Sequence, residues 1–356
     1  AFKVAAHPPT GPVFISLPQN IMESRLSFEY VKGAPPYTRI HPDPESIEVA
    51  AVLLSKAQNP AVIVEDGVAK SEALAEVVEF AELIGARVYE WWMSDVNFPV
   101  DHPLHAGDLD LGSLRTREIL AKVDVLVAIG TPLFSQPIYL EKPLLSPATQ
   151  IIQIDNCSWQ IGKNFPVASG IEGDIKVAVA DLTSALLEQM TATAREAAQA
   201  RAKNIHQEKQ RADKAFAEKA HREKDDVPIS AARLMQEIKN NLKPGTRIVD
   251  DCWSCSAVLR RTLGFSEAKS YQRSRGGGSF GWGLPGALGV KLASPDRPVV
   301  CVSGDGSAMW SIQSLWTAAH YGIPVTHIIC ANACYQQVRN MKVLLMAEKA
   351  KGRYLG

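Results

Sequence analysis

The stretch VVCVSGDGSAMW, residues 299–310, decides the fold of the second half of this chain. An apolar run typical of a buried strand ends in Gly304-Asp305-Gly306, and a helical pattern runs from about Ser307 to Tyr321. In an open parallel sheet, ligands bind where the strands reach their carboxyl ends. Glycines on both sides of Asp305 let the backbone approach a ligand closely, and free N–H groups at a helix start favour an anion such as phosphate. The stretch therefore predicts a strand, a ligand-binding turn and a helix.

A second strand tip is predicted beside the first. Residues 325–330 form another apolar run, which Asn332 follows, and the segment between Asp305 and Asn332 has room for one helix and one strand. Because such crossovers are right-handed and return the chain to the same sheet edge, we expect these two side chains to be neighbours. A carboxylate, an amide oxygen and a backbone carbonyl are hard oxygen ligands suited to Mg²⁺. Either residue alone is more often a cap or turn residue, so the pair carries the prediction.

The rest of the chain alternates helix and strand patterns. Apolar runs at 61–64, 123–129 and 150–154, a strand at 87–90, and helices at 47–58 and 71–84 indicate a parallel sheet covered by helices. We therefore predict an α/β protein with a doubly wound parallel-sheet middle domain over residues 31–185, whose start is marked by prolines at 35 and 36.

Two further segments complete the predicted organisation. Residues 186–226 are rich in Ala, Lys, Glu, Arg and Gln and contain neither Pro nor Gly, which predicts a helical linker. Residues 227–356 form a second α/β unit, in which Ser230 is a plausible cap for a helix over 231–241 and residues 247–250 form a strand. The alternative function for the linker is a nucleic-acid-binding arm, but acidic residues are interleaved with its basic residues.

Composition excludes several classes of protein. The chain has 356 residues, 46% hydrophobic and 21% charged, with 38 basic and 38 acidic residues and a net charge of +0. Nothing here indicates nucleic-acid binding, and no apolar run is long enough to span a bilayer. Six scattered cysteines do not form a disulfide framework, so we predict a reducing, cytoplasmic setting.

Two stretches carry a family resemblance. GDGSAMWSIQSLWTAA, residues 304–319, and GGSFGWGLPGALGV, residues 277–290, resemble the thiamine diphosphate signature of the pyruvate decarboxylase and acetohydroxyacid synthase superfamily, closest to its benzoylformate decarboxylase-like members. The resemblance implies thiamine diphosphate and Mg²⁺ as cofactors, with the metal held by Asp305, Asn332 and the main-chain oxygen of Cys334. It implies FAD only for some members, and we do not favour a flavin here.

The resemblance also implies roles around the cofactor. Gly306 and Ser307 would contact the diphosphate, Gly278 the aminopyrimidine, and Phe280 would support the bend of the cofactor. Departures are Ala331, where the family has the first of two asparagines, and Phe280, where an aliphatic residue is usual. The complete set of predicted cofactor residues is Ser254, Gly278, Ser279, Phe280, Gly304, Asp305, Gly306, Ser307, Asn332, Cys334 and Tyr335.

The resemblance implies an activity for the whole protein. Residues 1–30, with a strand at 13–17, resemble the C-terminal end of the family's pyrimidine-binding domain, and the chain looks like an internal part of a longer enzyme. The activating Glu of the family belongs to that domain and is expected outside this chain, so we name no catalytic residue and expect the isolated chain to be inactive. The implied reaction is 2-oxo acid decarboxylation or carboligation, with an acetolactate synthase-like carboligase as the alternative. The implied substrates are small 2-oxo acids or aldehydes, and the implied assembly is a homodimer or homotetramer.

Three other interpretations stay open. Cys252 and Cys255 have the spacing of a zinc or redox half-site, with Cys330 and Cys334 as a second pair. The glycine run at 276–289 could bind a dinucleotide, although Asp296, at the distance expected for the acid, falls in a predicted turn. His102 and His105 could form a metal or proton-transfer pair, but we favour ordinary loop histidines.

Overall fold

The computed structural model describes residues 1–31, 39–91, 93–109, 114–134, 144–274 and 278–340, apart from the side chains at positions 114 and 115. The predicted linker prolines at 35 and 36 and the glycines at 276 and 277 lie outside these ranges.

Residues 1–31 are largely exposed and contain two short helices, α1 (Phe2–Ala6) and α2 (Gln19–Met22). The strand predicted over residues 13–17 is wrong: none of these residues is in a strand, and Phe14 is 92% exposed. An apolar run forms a strand only when a neighbouring strand takes its backbone hydrogen bonds, and no described strand pairs with this one. Its assignment to a pyrimidine-binding domain stays a prediction.

A parallel sheet of six described strands forms the predicted middle domain. The strands are β1 (Ala61–Val64), β2 (Arg87–Trp91), β3 (His105–Leu109), β4 (Val125–Ile129), β5 (Gln150–Asp155) and β6 (Ser169–Glu172). They lie in the order β3-β2-β1-β4-β5-β6. Three of the four inner strands are the predicted apolar runs and the fourth is the strand predicted at 87–90, and the doubly wound α/β fold is confirmed. The two edge strands, β3 and β6, are additions to the prediction.

Helices cover both faces of this sheet. They are α3 (Pro44–Ser55), α4 (Gly67–Lys70), α5 (Leu74–Ile84), α6 (Leu114–Leu120) and α7 (Ile175–Gln189). One core contains Phe80, Ile129 and Leu182, and the core on the opposite face contains Leu126. Helix α5 begins three residues later than predicted and ends as predicted before Gly85, whose φ of +58 is the left-handed conformation that stops helices.

The predicted linker is one helix of 31 residues, α8 (Ala192–Arg222). It is not solvated on all sides, because Ala198 and Ile205 are buried in the middle-domain core. A side chain added at Gly85 would meet the carbonyl oxygen of Ala198, so α8 lies directly on the end of α5. No helix in the described part of the chain has the length and apolar character needed to cross a membrane.

The second α/β unit has four described parallel strands, β7 (Arg247–Asp251), β8 (Tyr271–Arg273), β9 (Val299–Gly304) and β10 (Thr326–Cys330). Their order is β10-β9-β7-β8. Its helices are α9 (Ala231–Asn241), α10 (Ser256–Leu263), α11 (Gly283–Ala293), α12 (Asp305–Met309) and α13 (Ser314–His320).

Two helix predictions in this unit have different outcomes. Ser230 caps α9 as predicted, with its side chain accepting a hydrogen bond from the Arg233 N–H at 3.2 Å. The single helix predicted from Ser307 to Tyr321 is instead interrupted between α12 and α13. At the interruption, the Ser311 hydroxyl donates to the carbonyl of Gly281 at 2.6 Å, which holds this turn against the preceding loop.

A buried charge cluster joins the two sheets. Arg260 on α10 donates to Glu90 on β2 at 2.6 Å and to Asp108 on β3 at 2.8 Å. His105 Nε2 lies 3.2 Å from the same Glu90 carboxylate. The interpretation of His105 as a loop histidine is therefore wrong: it is a buried residue of β3, whereas His102 lies in the preceding turn.

Candidate functional site

The tips of β9 and β10 lie side by side. Cys330 is opposite Gly304 in the ladder, so both strands end at the same edge. The backbone N–H of Ala333 donates to Asp305 Oδ2 at 2.8 Å, which ties the turn after β10 to the turn after β9. The structure thus brings Asp305 and the loop of Asn332 together, as their spacing predicts.

The turn after β10 has an unusual backbone. Asn332 Oδ1 accepts a hydrogen bond from the Cys334 N–H at 3.1 Å, and Ala333 has a φ of +54. Non-glycine residues rarely adopt this left-handed conformation, and where they do the surrounding structure enforces it. Here the enforcing contact is the hydrogen bond from Ala333 to Asp305, so the metal-ligand candidates lie on two turns that are tied together.

The donor chemistry of this turn fits a divalent cation. Asp305 Oδ1 accepts from the Gly306 N–H at 2.9 Å and Oδ2 from Ala333. A carboxylate oxygen has two lone pairs, so one described hydrogen bond on each leaves capacity for a metal. A side chain added at Gly304 would meet no atom within 4 Å, so space beside the turn is open. Carboxylate, amide and carbonyl oxygens are the ligands that Mg²⁺ prefers.

The predicted diphosphate contacts lie at the start of α12, a helix of five residues. Ser307 is buried, and the ring of Tyr335 lies on Gly306, where an added Cβ would stand 2.7 Å from a ring carbon. Only glycine permits this close approach. Because α12 is so short, any attraction for phosphate comes from its first N–H groups rather than from a long helix dipole.

Aromatic rings line the side of the site formed by the glycine-rich loop. The ring of Phe280 is 5.5 Å from Trp253 and 6.3 Å from Tyr335, and Phe280 is 36% exposed. Gly278 has a φ of +60, and the exposed Ser279 separates it from Phe280. The geometry leaves the Phe280 ring accessible to a ligand, while its role as the support of a bent cofactor stays a prediction.

The loop after β7 completes this edge of the sheet. Ser254 lies in the short 3₁₀ helix Trp253–Cys255, and its exposed hydroxyl is 3.4 Å from the Cys252 carbonyl oxygen. Sequence reasoning missed two residues of this loop region, Asp251 and Trp253. The signal was present, because Asp251 is the second of two acids that end a buried strand, where unpaired carboxylates are rare.

The zinc interpretation does not fit the cysteines. The Cys252 thiol is buried and donates to Asp250 Oδ1 at 3.0 Å, and burial together with that carboxylate raises its pKa well above the ordinary value. The Cys330 thiol hydrogen-bonds to Cys255 and lowers the pKa of the Cys255 thiol to about 7. All six cysteines are free, and no cysteine belongs to a metal-ligand group among the described residues.

The cluster that does have metal-ligand spacing in the described chain is Glu90, His105 and Asp108. Arg260 already supplies its positive charge, with hydrogen bonds of 2.6 and 2.8 Å to the two carboxylates. Burial alone would raise the pKa of Glu90, but Arg260 and His105 outweigh it and lower that pKa. We therefore interpret the cluster as a contact between domains.

The described residues do not identify a binding site for a dinucleotide at the glycine run or for a flavin in the middle domain. Asp296 is an exposed residue of the turn between α11 and β9, not a strand end, which argues against dinucleotide binding by the glycine run. A cavity of about 400 Å³ lies at the carboxyl ends of β1, β4 and β5, beside Gly67, Gly130 and Asp155. Burial raises the pKa of Asp155 to about 6. Our preference against a flavin in the middle domain stays untested.

Comparison with known protein families agrees with this architecture. Residues 47–182 match the model of the thiamine pyrophosphate enzyme central domain. Residues 253–355 match the model of the thiamine pyrophosphate enzyme C-terminal TPP binding domain. The second match contains the turns of Asp305 and Asn332.

Curated relatives and solved structures are similar over most of this chain. Sulfoacetaldehyde acetyltransferase of Alcaligenes xylosoxydans xylosoxydans is 27% identical over 344 residues, which are 90% of this chain and 56% of the relative. A probable acetolactate synthase large subunit of Methanococcus aeolicus is 30% identical over 93% of this chain and 56% of the relative. The crystal structure of benzoylformate decarboxylase from Polynucleobacter necessarius has a TM-score of 0.77, 22% identity, and coverage of 98% of this chain and 62% of that one. At this identity the last likeness shows the fold alone. The chain spans less than two thirds of the length of each relative.

Proposed function

Because this chain belongs to the thiamine pyrophosphate enzyme family, we propose that the whole protein uses thiamine diphosphate and Mg²⁺ to cleave or form a carbon–carbon bond next to a carbonyl. The reaction is decarboxylation of a 2-oxo acid or carboligation. The substrates are a small 2-oxo acid or an aldehyde.

One observation carries the cofactor assignment. The hydrogen bond from Ala333 to Asp305 joins the turns at the tips of β9 and β10. This contact supports a metal site in which Asp305, Asn332 and the main-chain oxygen of Cys334 hold Mg²⁺. Hard oxygen donors on two neighbouring loops would then hold the metal beside the diphosphate.

The remaining residues of the site have supporting roles in this proposal. Gly306 and Ser307 contact the diphosphate, Ser307 through its backbone N–H, since the Gly306 N–H already donates to Asp305. Ser254 adds a hydroxyl from the neighbouring loop. When bound, thiamine diphosphate would supply a carbon nucleophile for the electrophilic carbonyl carbon of the substrate, and its thiazolium ring would take up the electron pair of the carbon–carbon bond that breaks. Phe280 and its aromatic neighbours orient the cofactor rings and exclude water from that face.

An acetolactate synthase-like carboligase is the second candidate. It is favoured by a relative that is 30% identical and described as a probable acetolactate synthase large subunit. A decarboxylase is favoured by the closeness of the motifs at 277–290 and 304–319 to benzoylformate decarboxylase-like enzymes. For either reaction we propose a cytoplasmic homodimer or homotetramer. Free cysteines support the cytoplasmic setting.

The test is the Mg²⁺-dependent affinity of the full-length protein for thiamine diphosphate, measured by calorimetric titration. We expect Asp305→Ala to weaken binding by at least about tenfold, since even residues that only support a metal ligand contribute 10–100-fold. Asp296→Ala removes an exposed acid outside the site and is the matched control. Unchanged Mg²⁺-dependent affinity in Asp305→Ala would remove the metal assignment.

A further inference from the structure

Strand β7 ends in two buried acids that point to opposite faces of its sheet. Asp250 accepts hydrogen bonds from the hydroxyls of Tyr271 at 2.6 Å and Ser256 at 3.0 Å, on the face covered by α10. Asp251 is 1% exposed and faces the glycine-rich loop instead. Alternation along a strand accounts for the two directions, so neighbouring carboxylates have separate surroundings.

The carboxylate of Asp251 joins two loops of the candidate cofactor site. Its Oδ1 accepts from the indole N–H of Trp253 at 2.8 Å, and its Oδ2 accepts from the Gly283 N–H at 3.0 Å. The backbone of Gly281 makes a further hydrogen bond to it. A buried carboxylate is unfavourable unless hydrogen bonds compensate for lost water, and each of the donors that the structure describes belongs to one of these two loops.

Both loops are shaped around this contact. A Cβ added at Gly283 would stand 2.5 Å from the Cβ of Asp251, so the glycine lies directly against the acid. Trp253 has a φ of +45, which is unfavourable for a bulky residue and must be enforced by its contacts. Those contacts include the hydrogen bond to Asp251, the Phe280 ring at 5.5 Å, and Arg273 above the indole at 5.2 Å.

We propose that Asp251 is a positioning residue of the cofactor site, which fixes Trp253 and the loop 278–283 so that Phe280 and Gly278 meet the ring end of thiamine diphosphate. The distance supports this, since a side chain at Gly278 would meet the indole of Trp253 at 3.8 Å. This inference rests on the proposed function. It divides the site into a diphosphate end, held by Asp305 and the loop of Asn332, and a ring end, held by Asp251.

That division can be measured with two ligands. Asp251→Asn keeps the size of the side chain but replaces one acceptor oxygen with a donor, so one N–H loses its partner. In the full-length protein with Mg²⁺, we expect affinity for thiamine diphosphate to fall about tenfold, in line with the loss of one hydrogen bond to a charged group. Affinity for inorganic pyrophosphate, which touches only the diphosphate end, should change less than about twofold, well below one hydrogen bond.

Two further variants keep the test decisive. Trp253→Phe retains an aromatic ring but removes the indole donor and part of the ring surface, so it should lower thiamine diphosphate affinity in the same selective way even if Asp251→Asn does not fold. Asp250→Asn is the matched control, a buried acid one residue away, and should leave the ratio of the two affinities unchanged.

Three outcomes separate the hypotheses. Equal losses for both ligands in Asp251→Asn and Trp253→Phe, or the same selective loss in Asp250→Asn, overturn the positioning role while the proposed function stands. If the wild-type protein does not bind thiamine diphosphate with Mg²⁺, the proposed function itself is overturned, whether or not pyrophosphate binds. Selective loss in the two loop variants alone supports the inference.

Discussion

Replacement of Arg260 by methionine should strongly destabilise the chain, because it leaves the buried Glu90 and the partly buried Asp108 without their guanidinium partner. Arg260 and Glu90 are 2% and 0% exposed, and the guanidinium also holds Asp108. Removing one partner of a buried ion pair is typically unfavourable by about 3–5 kcal/mol. Since two carboxylates lose the same partner, we expect the upper part of that range, a large fraction of the stability of an ordinary domain.

The destabilisation caused by Arg260→Met should depend on pH. Burial raises the pKa of Glu90, and Arg260 followed by His105 lowers it, with a net lowering. In the wild type, the stability that ionised Glu90 contributes is therefore present above the pKa of Glu90 in the unfolded chain. It is lost as pH falls through the pKa of Glu90 in the folded chain. Without Arg260, burial dominates and raises the pKa of Glu90, and burial likewise raises that of Asp108. The variant should then recover part of the lost stability as pH falls from 7.5 to 5, because protonation removes the buried charges.

Urea unfolding of the purified chain, followed by circular dichroism at both pH values, measures this difference. Lys214→Met is the matched control, since Lys214 is 80% exposed and lies 4.0 Å from Glu218 in an i,i+4 pair, which contributes only about 0.3–0.5 kcal/mol. A loss in Arg260→Met below about 1 kcal/mol, within the range of an exposed pair, or a loss that does not shrink at pH 5, would refute the reasoning.

Two more predictions concern local features. Ser230→Ala should destabilise the chain by about 1 kcal/mol, because the side chain caps α9 through the Arg233 N–H; Ser230→Asn, which can still cap, should restore most of the loss in the same urea assay, and equal losses would contradict the capping role. Cys255 should react with iodoacetamide at a rate that rises through pH of about 7, since its pKa is lowered to about 7 by the Cys330 thiol and the thiolate is the nucleophile. Cys252, whose burial raises its pKa, is the internal control in the same peptide map, and faster labelling of Cys252 than of Cys255 would contradict the assignment.

The sequence predicts the parts of the fold that depend on continuous apolar runs. Strands β1, β4 and β9 are such runs and are covered on both faces, so their pattern needs no knowledge of neighbours. Strand β3 was missed because its five residues, HAGDL, include a histidine, a glycine and an aspartate. Its aspartate, Asp108, is bound by Arg260, which is 152 residues away, and its histidine, His105, contacts Glu90 of the neighbouring strand.

The sequence fails where an element or a contact depends on residues far away in the chain. The apolar run at 13–17 has the composition of a strand, but strand formation requires a partner that the described residues do not provide. In the site, Asp305 and Asn332 could be paired from spacing because strand tips of a parallel sheet meet at one edge. Asp251 could not be paired with Gly283, because that contact depends on how a loop 32 residues further along folds back.

Helix α8 also sets the spacing between the two α/β units. Arg201 donates to the carbonyl of Ile84 at 2.7 Å in the middle domain, and Arg261 of the second unit donates to the carbonyl of Ala212 and to Asp213. Because a helix advances about 1.5 Å and turns about 100° per residue, both the distance and the rotation between these anchor points depend on the number of residues between them. The length of α8 between these anchor points is therefore constrained. One residue added or removed there would shift one anchor point along the helix and rotate it about the helix axis relative to the other.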